Sequence, residues 1–194
     1  MPIIGQEHSW AERSFVLSKI ILALATATSA RFMYVGQEVS LIEWIKENEY
    51  NSVTMEDLFR KSYQLNNGNV YLTLLTIENV LSDATFEKDR EFTIVNQKLT
   101  DLYFHSPNKF GDWYHLFGTM LAGYVGEPAE TIADLYGIYR RISRGGNAEK
   151  STLAADHVGA KIGGELRTFV TQKNKGFVQR LVEKIISGLD KRSK

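Results

Sequence analysis

The sequence predicts an all-α protein, folded as one compact domain of about eight helices. Three observations support this class. Pairs of residues with the spacing of helix caps recur along the chain, apolar residues repeat every three or four positions, and only three prolines occur in 194 residues. With 43% hydrophobic residues, the chain is long enough for a single domain with a substantial core.

The N-terminal segment, residues 1–30, has two interpretations. Residues 15–27 form an apolar run that ends before Thr28, Ser29 and Ala30, as in a secretory signal, although no basic segment precedes it and Lys19 interrupts it. Alternatively, a helix begins at the Ser9–Glu12 capping pair and runs to Gly36. The first interpretation implies a periplasmic or secreted protein and the second a cytoplasmic one. The run is too short to span a bilayer.

Residues 31–194 are expected to form the helical domain. Capping pairs at Ser40–Glu43 and at Thr54–Asp57 predict two helix starts. The turn residues 66–68 follow, and then a helix whose apolar positions begin at Val70 and keep the three/four spacing to Leu81. Residues 86–104 continue this pattern and predict another helix.

The second half of the chain contains four more predicted helices. Pro107 separates the preceding helix from one that ends at Gly126, and Pro128 stands at the first position of the next, which ends before Gly145. Residues 148–172 and 175–190 complete the set. The last helix has one apolar and one basic face, so it either docks on the domain or forms a homodimer.

Small residues four positions apart occur in three consecutive helices of this half. Residues four apart share a helix face, and small side chains allow two helix backbones to approach closely. We therefore expect a close-packed three-helix C-terminal core. The small residues are Gly118, Ala122 and Gly126; Ala129, Ala133 and Gly137; and Ala155, Gly159 and Gly163.

Charge and composition argue against several classes of function. The 23 basic and 23 acidic residues cancel, so no net charge favours binding to nucleic acid or to an anionic membrane. The absence of cysteine excludes disulfides, thiolate zinc sites and a cysteine nucleophile. Phosphate-binding and GxSxG motifs are absent, which argues against nucleotide-dependent enzymes and α/β-hydrolases. No cofactor is predicted.

One candidate site consists of histidines and aspartates. Asp112 and His115 share a face of their helix, and Asp156 precedes both His157 and, by three residues, Gly159. If the stripes of small residues meet, His115 and Asp156 approach each other. Three interpretations follow: a buried polar pair that fixes helix register, a carboxylate-oriented histidine acting as base, or a metal site of two histidines and two aspartates.

The same residues belong to two short motifs, DxxHxxG from Asp112 to Gly118 and DxxGxxxG from Asp156 to Gly163. Their order resembles that of VanZ-like bacterial proteins, which are membrane-embedded. No function is inferred from this resemblance.

A second candidate site follows Gly126. Glu127 and Glu130 stand at the start of a helix, with Asp134 one turn beyond Glu130. A carboxylic acid held against aromatic surface can act as a general acid, and exposed aromatic rings stack on sugars. The nearby aromatic residues, expected to bind substrate, are Trp113, Tyr114, Tyr124, Tyr136 and Tyr139.

Three hypotheses of function follow. The most specific is a lysozyme-like hydrolase that acts on cell-wall glycan, with Glu127 or Glu130 as general acid. The second is a non-enzymatic helical interaction module or assembly subunit. The third is a metal-dependent hydrolase that uses His115, His157 and the neighbouring aspartates.

Overall fold

A computed structural model describes residues 37–48, 52–86, 95–100, 109–126, 131 and 150–171. Its helices are α1 (Gln37–Glu47), α2 (Met55–Leu65), α3 (Val70–Phe86), α4 (Lys109–Val125) and α5 (Lys150–Thr171). With a helical turn at 95–98, these ranges hold six helical segments rather than the eight expected of the whole chain, and no strand. The all-α class is therefore confirmed. The predicted helices at 9–36 and 175–190 lie outside the described residues, and so does the one at 128–144 except for Thr131.

The two predicted capping pairs have different outcomes. Thr54 forms a complete capping box: its side-chain oxygen accepts the Asp57 backbone N–H at 3.1 Å, and the Asp57 carboxylate accepts the Thr54 backbone N–H at 3.2 Å. The Ser40 prediction is wrong, because α1 already begins at Gln37 and Ser40 lies exposed inside it. Buried Glu38 accepts a 2.6 Å hydrogen bond from Asn79 of α3, which ties the residues before Ser40 into the fold.

The capping box generates a stability prediction. Thr54→Ala is expected to lower the free energy of unfolding by about 1 kcal/mol, because the Asp57 N–H loses its acceptor. Ser52→Ala is the control, since Ser52 is also exposed but lies outside the box. Urea unfolding followed by circular dichroism measures both variants. Equal stability of the two would contradict a stabilising cap.

A tight turn and a buried polar network hold α2 against α3. Asn67 and Gly68 make the turn with φ of 52° and 78°, and Tyr63 packs over Gly68, where burial raises the pKa of its hydroxyl. The Asn66 side-chain amide donates to the Ser62 carbonyl at 2.9 Å and to the Thr76 hydroxyl at 3.1 Å. All three of these polar residues are buried, so their hydrogen bonds offset the loss of water.

The segment 95–100 pairs with the chain just before α2. The Val53 N–H donates to the Lys98 carbonyl at 2.6 Å, and the Thr100 N–H donates to the Val53 carbonyl at 3.1 Å, in an isolated parallel bridge. In the described residues the helix predicted for 86–104 therefore ends at Lys98. The Trp113 indole N–H donates to the Thr100 carbonyl at 2.8 Å, which anchors the segment to α4.

Glycines bring α4 and α5 into close contact. A methyl group at Gly159 would lie under 3.0 Å from the Leu116 carbonyl oxygen and the Thr119 hydroxyl, and one at Gly163 would overlap the backbone of Met120 and Tyr124. Both sets of residue numbers increase in the same direction, so the two helices run parallel. We call this contact the α4–α5 interface.

The predicted stripes are confirmed on α5 and corrected on α4. Gly123, not Gly118 or Gly126, makes the close approach from α4, against the Ala160 carbonyl. Gly118 lies beside Glu78 of α3, and Gly126 ends the helix with φ of 78° beneath the Arg167 guanidinium. The middle stripe, Ala129 to Gly137, lies outside the described residues.

Adjacent glycines of α5 provide a matched pair of substitutions. Gly163→Ala is expected to lower the free energy of unfolding by about 1–3 kcal/mol, because the new methyl group meets backbone atoms of α4. Gly164→Ala is expected to raise it by up to about 1 kcal/mol, since nothing lies within 4 Å and alanine favours the helix. Chemical denaturation compares the two. The same sign of change in both would contradict the close backbone contact.

No helix in the described ranges is both long enough and apolar enough to cross a membrane. This agrees with the prediction from the sequence for that part of the chain.

Candidate acid–base site

His115 of α4 and Asp156 of α5 meet across the α4–α5 interface. The imidazole Nδ1 lies 2.8 Å from the Asp156 carboxylate oxygen Oδ1, although the two residues are 41 positions apart in the chain. This contact confirms the approach predicted from the stripes of small residues. It is the hydrogen-bonded pair expected of either a register-fixing contact or an oriented base.

The two helices place the pair at the same level. Gly159 packs against the α4 turn that contains Leu116 and Thr119. Asp156 lies three residues before Gly159, and His115 lies one residue before Leu116 and four before Thr119. Because parallel helices rise by the same amount per residue, the two side chains lie side by side.

The pair lies at the edge of the interface and not at its centre. The side chain of His115 is 12% exposed and that of Asp156 is 22% exposed, whereas the neighbouring residues Leu116 and Ala155 are fully buried. The ring of Tyr114 meets the imidazole edge-on with 5.6 Å between centroids. The Thr119 hydroxyl donates to the His115 carbonyl at 2.8 Å, which secures the helix turn that carries the histidine.

The geometry defines what the histidine can do chemically. An ionised Asp156 accepts a hydrogen bond from Nδ1–H, which favours the imidazole tautomer with its lone pair on Nε2. Proton transfer to or from a bound molecule would then take place at Nε2, and the carboxylate would stabilise the imidazolium that forms. This division of roles is that of a histidine–carboxylate base.

The wider set of histidines and aspartates does not assemble into a metal site in the described ranges. His157 is exposed, while its neighbour Asp156 points to α4. Asp112 is fully buried in the first turn of α4. No group of three or more His, Asp or Glu side chains with metal-binding geometry occurs in this part of the chain. The four-residue metal hypothesis therefore gains no support here.

The second candidate site lies mostly outside the described residues. This applies to Glu127, Glu130 and Asp134 and to the aromatic residues Tyr136 and Tyr139. Trp113 is completely buried and Tyr124 is 3% exposed, so both are core residues of α4, and neither offers a ring face for stacking on a sugar. Tyr114 alone of the three described aromatics is partly exposed, beside His115.

Sequence reasoning missed the buried polar contact between α1 and α3. Glu38, Glu78 and Asn79 are all at least nine-tenths buried, and Asn79 donates to the Glu38 carboxylate at 2.6 Å. A signal was present, because Glu78 and Asn79 interrupt an otherwise apolar helix between Ile77 and Val80. Polar residues at such positions need buried partners.

Comparison with protein-family models, with curated proteins and with solved structures finds no match.

The Glu38–Asn79 contact is open to a double-mutant cycle. Asn79→Ala is expected to lower the free energy of unfolding by about 1–3 kcal/mol, because the buried carboxylate loses a donor. In a Glu38→Ala background the same substitution should have a smaller effect, since that acceptor is already gone. Urea unfolding of the four proteins gives the coupling. Equal losses in both backgrounds would show that the contact does not couple α1 to α3.

Proposed function

We propose that the protein is a hydrolase in which His115, oriented by Asp156, acts as a general base on water. The observation that carries this proposal is the 2.8 Å contact between His115 Nδ1 and the Asp156 carboxylate, made by two partly exposed side chains. A base must reach its substrate, and both members of this pair retain contact with solvent.

The proposed reaction uses the two residues in distinct roles. His115 Nε2 accepts a proton from a water molecule as the water oxygen attacks the scissile bond. Asp156 holds the ring in the required tautomer and balances the positive charge of the imidazolium. The imidazolium then returns the proton to the leaving group, which restores the neutral base. Ester and amide bonds satisfy this scheme, because the tetrahedral intermediate allows the same imidazolium to protonate the leaving group.

Cell-wall glycan remains the substrate class predicted from the sequence, with Glu127 or Glu130 as its acid; both residues lie outside the described ranges. Gly126, which precedes Glu127, lies eleven residues beyond His115, or about 16 Å along the axis of α4. Paired glycosidase carboxyls lie about 5–10 Å apart. His115 and Glu127 are therefore proposed as alternatives for separate sites and not as one catalytic pair.

The proposal is tested with two substrates. p-Nitrophenyl acetate reports ester hydrolysis, and purified peptidoglycan reports release of soluble fragments. His115→Gln is expected to lower the rate of hydrolysis by roughly 10²–10⁴-fold, the usual contribution of a general base, on whichever of the two substrates the wild-type protein hydrolyses. Asp156→Asn is expected to lower it through misorientation of the ring. His157→Gln is the matched control. It also removes an imidazole, but an exposed one that makes no carboxylate contact among those described, so only background hydrolysis should be lost.

Each result distinguishes the hypotheses. Peptidoglycan release that survives His115→Gln but is lost in Glu127→Gln would replace the proposal with the lysozyme-like enzyme. If no substrate is hydrolysed, while His115→Gln and Asp156→Asn both lower stability, the pair fixes helix register. That outcome would favour the interaction module, which the position of the pair on a close-packed interface also suits.

A further inference from the structure

We infer that Gly159 is a positioning residue for the His115–Asp156 pair, an inference that rests on the acid–base function proposed above. The atoms nearest to a methyl group at Gly159 belong to Leu116 and Thr119 and not to the pair itself. It determines how closely α5 approaches α4 at the level where the carboxylate must reach the imidazole.

The backbones of α4 and α5 approach closely at the level of Gly159. A methyl group at residue 159 would lie under 3.0 Å from two atoms of α4, the Leu116 carbonyl oxygen and the Thr119 hydroxyl. The carbonyl belongs to the helix backbone, so it cannot move aside without moving α4. Only glycine permits the observed separation at this level.

The reach of the Asp156 carboxylate is short. Aspartate has a single methylene between its backbone and its carboxyl group, so it cannot extend across a wider gap. Asp156 lies three residues before Gly159, less than one helical turn away. A displacement of α5 at Gly159 is therefore transmitted almost fully to Asp156, and the 2.8 Å contact with Nδ1 is lengthened.

On the α4 side of the contact, Thr119 links Gly159 to the turn that carries His115. The Thr119 hydroxyl donates to the His115 carbonyl at 2.8 Å and approaches the Leu116 carbonyl at 3.3 Å. The atoms that Gly159 meets thus belong to the same helical turn that carries His115. Packing at Gly159 and orientation of the imidazole are coupled through this turn.

The inference is tested by the tautomer of His115, which requires no substrate. The protein is labelled with ¹⁵N-histidine, and long-range ¹H–¹⁵N spectra are recorded at a pH where the nitrogen shifts show neutral rings. The wild-type ring is expected to carry its proton on Nδ1, facing Asp156. In Gly159→Ala the majority form should change to Nε2–H, the form that free imidazole side chains prefer. His115→Gln assigns the signal.

Gly163→Ala is the matched control. Its new methyl group also meets the α4 backbone, but one helical turn farther from Asp156. It should lower stability while His115 keeps the Nδ1–H form. Retention of that form in Gly159→Ala, or an equal change in both variants, would overturn the inference.

A rescue variant separates positioning from general loss of packing. In the Gly159→Ala background, Asp156→Glu adds one methylene and should restore the Nδ1–H form across the wider gap, although stability stays low. Failure of the longer carboxylate to restore it would count against positioning. If Gly159→Ala does not fold, Thr119→Leu is used instead, because it enlarges the α4 side chain that faces Gly159. Retention of Nδ1–H in that variant would overturn the inference.

The experiments distinguish failure of the positioning role of Gly159 from failure of the proposed acid–base function. A tautomer change in Gly159→Ala together with hydrolysis unaffected by His115→Gln would leave positioning intact and remove the acid–base function. An unchanged tautomer together with hydrolysis lost in His115→Gln would do the reverse.

Discussion

The close approach of α4 and α5 depends on glycine residues, which have no side chain to separate the two backbones. Gly123, Gly159 and Gly163 each place a backbone where a methyl group would overlap the other helix. Glycine inside a helix disfavours helix formation by up to about 1 kcal/mol per residue relative to alanine, so the packing gained across the interface must offset that loss. The tolerance for change is small, because the atoms that would be met are mostly backbone atoms and not flexible side-chain ends.

Buried polar contacts fix the positions of the other helices. Ser62, Asn66 and Thr76 join α2 to α3, and Glu38 with Asn79 joins α1 to α3, all in buried surroundings. A buried polar group without a partner is unfavourable, so these contacts disfavour other registers of the same helices as well as stabilising the observed one. Apolar packing alone would discriminate less sharply between neighbouring registers.

The sequence predicts some of these features and misses others for identifiable reasons. The Thr54 cap and the turn at Asn67 depend on residues within four positions, and both are confirmed. The meeting of His115 and Asp156 is also confirmed, although the stripe that predicted it packs as expected only on α5. The start of α1 is missed because the pattern at Ser40 and Glu43 is local and carries no information about the buried contact of Glu38 with Asn79, 41 residues away.

The aromatic residues of α4 show why a site is harder to predict than a helix. The sequence predicts equally that three aromatic residues of α4 bind substrate. In the structure Trp113 and Tyr124 are buried, and Tyr114 lies beside the His115 imidazole. Whether each of these side chains is buried depends on which side of α4 packs against α3 and which packs against α5. The sequence placed Gly118 on the α5 side, whereas Gly123 makes that contact and Gly118 lies beside Glu78. The side chain of His115 remains 12% exposed, so the helix packing that buries Trp113 and Tyr124 also leaves the proposed base in contact with solvent.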